Sequence, residues 1–306
     1  MTAEGVVEVE ESASRPTSRW AYLAAITPII FGTTYLLTTQ FLPPGRPLLA
    51  ALMRSLPTGL VLIIGSRLPP RRWLVRFLIL SVLYASGLFP LLFIAAYRLP
   101  GGVAAVINSL APIVVVIISV PLLGTSIRAI QIVSGILGVG GVALLVLRSN
   151  AGLDGLGLLA MLGAVSMMSL ATVLTKRWGQ PPGINALAVT GWTFLFGGLA
   201  LLPVTLLVEG LPNHLTGRNV GGLAYLVLIS GITAYALWFW GLRRLPASSV
   251  TFLGLLNPVV AAILGWIVLD QRLNSWQLLG AVVVLVSIVL GQAPRLPRIA
   301  PLRSEP

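Results

Sequence analysis

Arg98-Leu99-Pro100 opens an apolar run with a second proline at Pro112, and 146 residues on Arg244-Leu245-Pro246 opens another, with its second proline at Pro258. In the same ungapped register Leu123 matches Leu269 and Gln131 matches Gln277. Leucine identities carry little in a chain that is 57% hydrophobic, but Arg, Pro and Gln are scarcer there. Four matches of such residues in one register point to a duplicated membrane segment.

Composition places that segment in a bilayer. Of 306 residues only 9% are charged, mean hydropathy is +0.96, and most of the length falls into runs of about 20 apolar residues, the length a helix needs to cross the hydrocarbon core. A net charge of +12 would suggest nucleic acid in a soluble protein. Here the basic residues sit between apolar runs, so they read as membrane orientation and no nucleic-acid partner is expected. Cysteine is absent, which removes disulfides, thiolate metal sites and cysteine catalysis. No metal or cofactor is expected. Glu4, Glu8, Glu10 and Glu11 precede Arg15 and Arg19, the wrong charge for the start of a cleavable signal peptide, so the first span is expected to be retained.

The pattern predicts an all-α polytopic membrane protein with ten spans, at 20–42, 47–65, 73–97, 100–123, 127–147, 154–176, 184–208, 219–243, 246–269 and 275–292. Residues 1–18 form a polar tail expected to be disordered, and 293–306 a second tail. Pro43-Pro44-Gly45 after span 1 returns as Pro181-Pro182-Gly183 after span 6. The repeats are therefore 19–148 and 149–292, five spans each. Five is odd, so the second copy enters the membrane the other way up, an arrangement found in secondary transporters with a substrate site near the midplane. Fourteen arginines and lysines lie on the side of the N-terminus against five on the other, which puts both termini in the cytoplasm of an inner (plasma) membrane protein.

The second half resembles an EamA-type module of the drug/metabolite transporter superfamily. The resemblance rests on Ser230-Gly231, Leu237-Trp238-Phe239, Arg244-Leu245-Pro246-Ala247, Asn257-Pro258, Gly265-Trp266, Asp270-Gln271-Arg272 and Gln277-Leu278-Leu279-Gly280. The first half is similar at Phe31-Gly32-Thr33-Thr34-Tyr35, Arg54 and the Arg98–Pro112 stretch, and departs at Gly124-Thr125, where the family usually has Glu-Arg. Within the superfamily the chain resembles the YddG-like exporters of aromatic and other neutral amino acids. The resemblance implies a ten-helix basket with a cavity lined by spans 3, 4, 8 and 9, with contributions from 1 and 6.

Candidate functional residues follow from polar or proline positions at depth. Pro112 and Pro258 fall twelve residues into their helices, roughly 18 Å at 1.5 Å per residue, and each frees the carbonyl four residues back, on Asn108 and Gly254. They are read as a hinge or gating pair, against static kinks satisfied by neighbouring helices. Tyr84, Asn108, Ser109, Met168, Tyr235 and Asn257 are the candidate substrate contacts, against ordinary interhelical packing; Trp192, eight residues into span 7, is open to the same two readings. Arg54 is the one charge well inside a span. It is either an anchor for a substrate carboxylate or a structural residue that ties to helix carbonyls or snorkels outward. Gly135, Gly138, Gly140 and Gly141 suggest close helix packing, inside a monomer or in a homodimer.

All eight acids, Glu4, Glu8, Glu10, Glu11, Asp154, Glu209, Asp270 and Glu305, fall in tails or at span ends. A proton-driven antiporter needs a titratable group within the membrane, so facilitated diffusion is expected, with alternating access to a small neutral molecule. The alternatives are efflux of small drugs or quaternary amines, which a carboxylate would favour, and a membrane enzyme, for which one loop histidine and no intramembrane acid leave little to build a reaction centre.

Overall fold

The computed structural model describes residues 17–124, 129–147, 154–237, 256–270 and 274–291, and the regular structure among them is helical. Five helices are long and apolar enough to cross a bilayer: Arg71–Arg98, Gly101–Leu123, Gly155–Trp178, Ala186–Val208 and Gly217–Leu237. These are spans 3, 4, 6, 7 and 8. Pro47–Leu62, Ala129–Leu147, Leu256–Leu269 and Ser275–Gly291 are spans 2, 5, 9 and 10, and Thr17–Gly32 with Thr34–Phe41 makes span 1. The polytopic helical fold is as expected. Arg244-Leu245-Pro246, Gly254, Trp238, Trp240, Arg272, residues 1–16 of the first tail and all of the second lie outside the described residues; Thr17 and Ser18, assigned to the first tail, begin the first helix.

Local sequence sets the helix starts. Asp154 accepts from the Gly157 N–H at 2.7 Å and Asn185 from the Ala188 N–H at 2.8 Å, starting spans 6 and 7. Thr216 and Asn219 cap span 8 reciprocally. Each supplies an acceptor to an N–H the helix leaves orphaned. The Gly157 N–H, then the Arg98 guanidinium 2.8 Å away, hold the Asp154 carboxyl below the usual carboxylate range, so the cap is charged at neutral pH.

Span 2 is capped from the other repeat. The Glu209 carboxylate accepts from Leu48 N–H at 2.7 Å and Leu49 N–H at 2.9 Å, while Arg46 donates to the carbonyls of Glu209 and Gly210 at 2.8 Å each. A carboxylate at a helix N-terminus also faces the positive end of the dipole. Glu209→Ala is expected to cost about 1–2 kcal/mol, read as a lower melting temperature in detergent. Glu209→Gln, which keeps an acceptor, should fall between it and the parent.

The two copies pack as antiparallel equivalents. In spans 2 and 7, Gly59 abuts Leu195, Gly198 abuts Leu56 and Gly191 abuts Leu62. In spans 5 and 10, Gly138 meets Ser287 and Gly141 meets Val284 and the Gly280 carbonyl. The positions 138 and 284, and 141 and 287, are equivalents in the 146-residue register, so the second pair crosses about the axis relating the repeats. Span 6 lies against spans 3 and 4, and span 1 against span 9, so each repeat's first helix is embedded in the other repeat.

Three helices depart from the regular form expected of them. Span 1, predicted continuous over 20–42, breaks at Thr33, where Gly32 passes the Asn257 carbonyl; a Cβ on Gly32 would come within 2.9 Å of that oxygen. Spans 3 and 8 each widen by a π turn, at Val82–Ser86 and Leu228–Thr233. The Gly87 N–H reaches five residues back to Val82 at 2.7 Å, and the Ala234 N–H to Ile229. Val82 and Leu228 are 146 residues apart, so the widening is part of the duplicated plan. Pro90 can contribute in span 3, but span 8 has no proline there; proline is not the shared cause.

Basic side chains sort by end. One end gathers Arg46, Arg98 and Arg218 with Asp154 and Glu209. The other gathers Arg67, beside Gly183 and Trp192, with Arg76, which lies over Trp73 at 4.6 Å and Trp178 at 5.8 Å.

Candidate functional site

Tyr84, Met168 and Tyr235, from spans 3, 6 and 8, all pack half-buried on one apolar cluster built around Phe89, Phe93, Phe194 and Leu226. The Tyr84 hydroxyl lies 3.1 Å from Thr172 Oγ1 of span 6. The Tyr235 ring meets Phe194 edge-on at 5.0 Å and tilts onto Phe31 at 5.4 Å, distances at which aromatic pairs add to simple burial. Met168 packs also against a second cluster containing Ile107, Leu110 and Ala111 of span 4. It joins the two cores.

Span 4 is interrupted at this depth. Its helix stops at Asn108 and resumes at Ala111, with Pro112 in the first turn of the new segment. The Ile113 N–H bonds to Leu110 at 2.9 Å, three residues back, so the proline produces a break rather than a bend. Ser169 of span 6 reaches in and donates to the Ala111 carbonyl at 3.2 Å. Ala111 and Asn257 are register equivalents, and each carbonyl is met by the first helix of the opposite repeat, near Ser169 and at Gly32. Pro258 is buried in Leu256–Leu269; the Gly254 carbonyl it would free lies outside the described residues.

The other candidates separate. Asn108 is half-buried, and its side chain makes no hydrogen bond among the described residues. Ser109 turns its hydroxyl back to the Val106 carbonyl at 2.6 Å, engaged within its own helix. Asn257 Oδ1 is buried without a partner. Trp192 does not line this region: its Nε1 donates to Ser66 Oγ and the Arg67 carbonyl, both at 3.2 Å, at the basic end of the bundle. A buried indole needs an acceptor, and the loop after span 2 supplies two. Gly138 and Gly141 serve the internal contact with span 10, and Gly135 faces Ile113, whereas Gly140 faces open space.

Arg54 joins the aromatic cluster. Only 3% of it is exposed, so it does not snorkel, and among the described residues it ties to no helix carbonyl. Its guanidinium lies over Phe31 at 5.3 Å and Phe89 at 5.2 Å and reaches Thr34 Oγ1 at a long 3.5 Å. Phe31, under the guanidinium, also tilts onto Tyr235 at 5.4 Å, which brings that ring into the same group. Sequence reasoning missed Phe89, although it pairs with Tyr235 when the Arg98/Arg244 register is extended nine residues upstream. Thr58 and Ser230 are both fully buried beside this group; Ser230 stands out only as part of the family resemblance, and neither signals a site, because hydroxyls in apolar helices commonly bond their own backbone.

These features match known proteins. The sequence profile of the EamA-like transporter family matches twice, over residues 18–147 and 155–291. Protein PecM of Dickeya dadantii (strain 3937) is 43% identical over 269 residues, covering 88% of this chain and 91% of PecM. YedA, an uncharacterised inner membrane transporter of Escherichia coli (strain K12), is 28% identical over 90% of this chain and 92% of its own length. A chloroplastic WAT1-related protein of Arabidopsis thaliana is 29% identical over 90% and 69% respectively. A solved crystal structure at 20% identity superposes with a TM-score of 0.62 over 92% of this chain and 100% of its own, which speaks to the fold. With both halves matched in turn and a relative this similar along nearly its whole length, the chain belongs to the EamA-like transporter family.

Proposed function

We propose that this transporter moves small neutral metabolites, aromatic and other neutral amino acids first, outward across an inner membrane by alternating access and without proton coupling. The observation that carries the reading is the half-buried wall of Tyr84, Met168 and Tyr235, set in a bundle whose described spans contain no acid. Thioether and aromatic surfaces accept varied apolar side chains, and the hydroxyls supply orientation. The acids that lie near spans are committed elsewhere: Asp154 caps span 6, Glu209 caps span 2, and Asp270 ends span 9 with φ 51. The basic end with Arg67 and Arg76 is the cytoplasmic one on this reading, as the charge bias requires.

Quaternary amines are the less favoured cargo. They would approach Tyr235 beside the Arg54 charge and meet repulsion with no carboxylate to offset it. Proteoliposomes loaded with unlabelled phenylalanine are expected to exchange it for labelled phenylalanine at a rate indifferent to an imposed pH gradient. Uphill uptake driven by that gradient would end the uncoupled reading, and exchange of amines alone would end the amino-acid reading.

A further inference from the structure

The aromatic cluster holds a buried cation with no anion of the chain's own. Arg54 Nε, Thr58 Oγ1 and Ser230 Oγ are all buried and, among the described residues, all lack a hydrogen-bond partner. They are also neighbours. Arg54 and Thr58 are four residues apart on one face of span 2. The Thr58 hydroxyl lies against the α-carbon of Gly231, next to Ser230. Tyr235, beside the guanidinium, follows Ser230 by five residues, one turn of the widened helix. Thr58 and Ser230 are 0% exposed and Arg54 is 3% exposed.

Physical chemistry makes this combination unusual. A buried charge is normally paired, and a buried donor normally bonded. The two ring faces offset part of the charge's cost, but ring faces do not satisfy the N–H groups. All three orphans can donate, and every acid of the chain lies at a span end or in a tail. The missing component is therefore an acceptor carrying one negative charge. A planar carboxylate fits a guanidinium fork best.

We infer that Arg54, Thr58, Ser230 and Tyr235 form a carboxylate-binding site between spans 2 and 8, made possible by the π turn of span 8 and the missing side chain at Gly231. The inference rests on the transporter reading above and names the part of the substrate that this end of the site takes. The remainder of the ligand then lies against Phe31, Phe89 and Tyr235.

Three probes sharing one phenyl group test it on the full-length protein in lipid nanodiscs: L-phenylalanine, 3-phenylpropionate without the amine, and 2-phenylethylamine without the carboxylate. Both carboxylates are expected to raise the melting temperature, and the amine to bind about tenfold or more weakly, the scale of a charge-assisted hydrogen bond. Arg54→Met should abolish the difference between acid and amine, and Arg54→Lys should keep part of it. Thr58→Val, nearly isosteric, should weaken both acids roughly three- to tenfold and decides the matter if Arg54→Met does not fold. Binding of 3-phenylpropionate without phenylalanine would support the site and remove the amino-acid reading. Amine binding as strong as acid binding, full acid preference in Thr58→Val or Arg54→Met, or no binding by any probe would overturn the site.

Discussion

Gly59→Leu is expected to prevent the protein from reaching a stable folded state, and Gly59→Ala to lower its melting temperature sharply. A Cβ at this position would sit 2.8 Å from Leu195 Cα and 2.9 Å from the Phe194 carbonyl carbon, and closer still to the Leu195 nitrogen. All three are main-chain atoms of span 7, which cannot swing aside as a side chain can. Spans 2 and 7 must part instead, and the separation propagates, because the two helices are just as close elsewhere along the seam: a Cβ on Gly198 would come within 2.7 Å of Leu56 Cα, and one on Gly191 within 2.9 Å of the Leu62 carbonyl carbon. Small residues admit close helix approach in membranes, where apolar burial alone gives helices no reason to associate. Overpacking typically costs about 1–3 kcal/mol, and here rigid backbone on the far side puts the cost at the upper end. Gly140 is the contrast: nothing lies within 4 Å of its added Cβ, so Gly140→Ala should be neutral or stabilising by up to about 1 kcal/mol, the helix preference of alanine. Thermal unfolding in detergent, with size-exclusion profiles of both variants, checks the pair. Equal melting temperatures for Gly59→Ala and Gly140→Ala would mean that the seam is not the constraint described.

That contrast also marks what sequence can reveal. Gly135, Gly138, Gly140 and Gly141 stand out because they are dense, and two of them do form a helix seam with span 10. Gly59, Gly191 and Gly198 were not singled out, since their meaning lies in partners more than 120 residues away. The ten spans and the repeat were legible because apolar length and the placement of rare Arg, Pro and Gln survive without a third dimension. The π turns were not. A widened turn shifts the phase of a helix, and phase can be read only where one face differs in polarity from another; Val82–Ser86 and Leu228–Thr233 lie in stretches apolar nearly all round. The break at Thr33 was hidden for a related reason, as Gly32 is forced by span 9 rather than by its own neighbours. Tyr84 and Tyr235 stand out as polar rings at depth and Met168 as an adaptable thioether, and the three pack on one cluster. The family resemblance leaves span 2 out of the cavity lining, yet the long Arg54 side chain reaches Phe89 of that cluster and Phe31 beside it, a reach that sequence position does not reveal.

Deleting Val82, or its register equivalent Leu228, should leave the fold intact and cut transport by roughly tenfold or more, the scale of effect hinge changes have when they gate a site. A π turn is one residue more than an α-helix needs, so removing one closes it and leaves the flanking turns in phase. Val82 and Leu228 are 52% and 55% exposed, facing lipid, so neither deletion empties the core. The hydrogen bonding improves, since the Gly87 N–H no longer has to reach five residues back. Melting temperatures should accordingly hold or rise. What changes is the direction of functional side chains: Tyr84 sits within the span 3 turn and reaches Thr172 from there, and Ser230 sits within the span 8 turn with Tyr235 just beyond it. An irregularity that inserts a residue at equivalent positions in both halves of a duplicated chain points to what it positions. The alternating access proposed above sharpens the expectation. The repeats are inverted, so the two turns approach the site from opposite faces, and each deletion should slow exchange more strongly from one side of the membrane than from the other, with the favoured side reversed between the two variants. Counterflow measured from each face of oriented proteoliposomes reads this directly. Unchanged rates in both variants would reduce the turns to packing irregularities, and equal slowing from both faces would leave them as positioning elements without a role in gating.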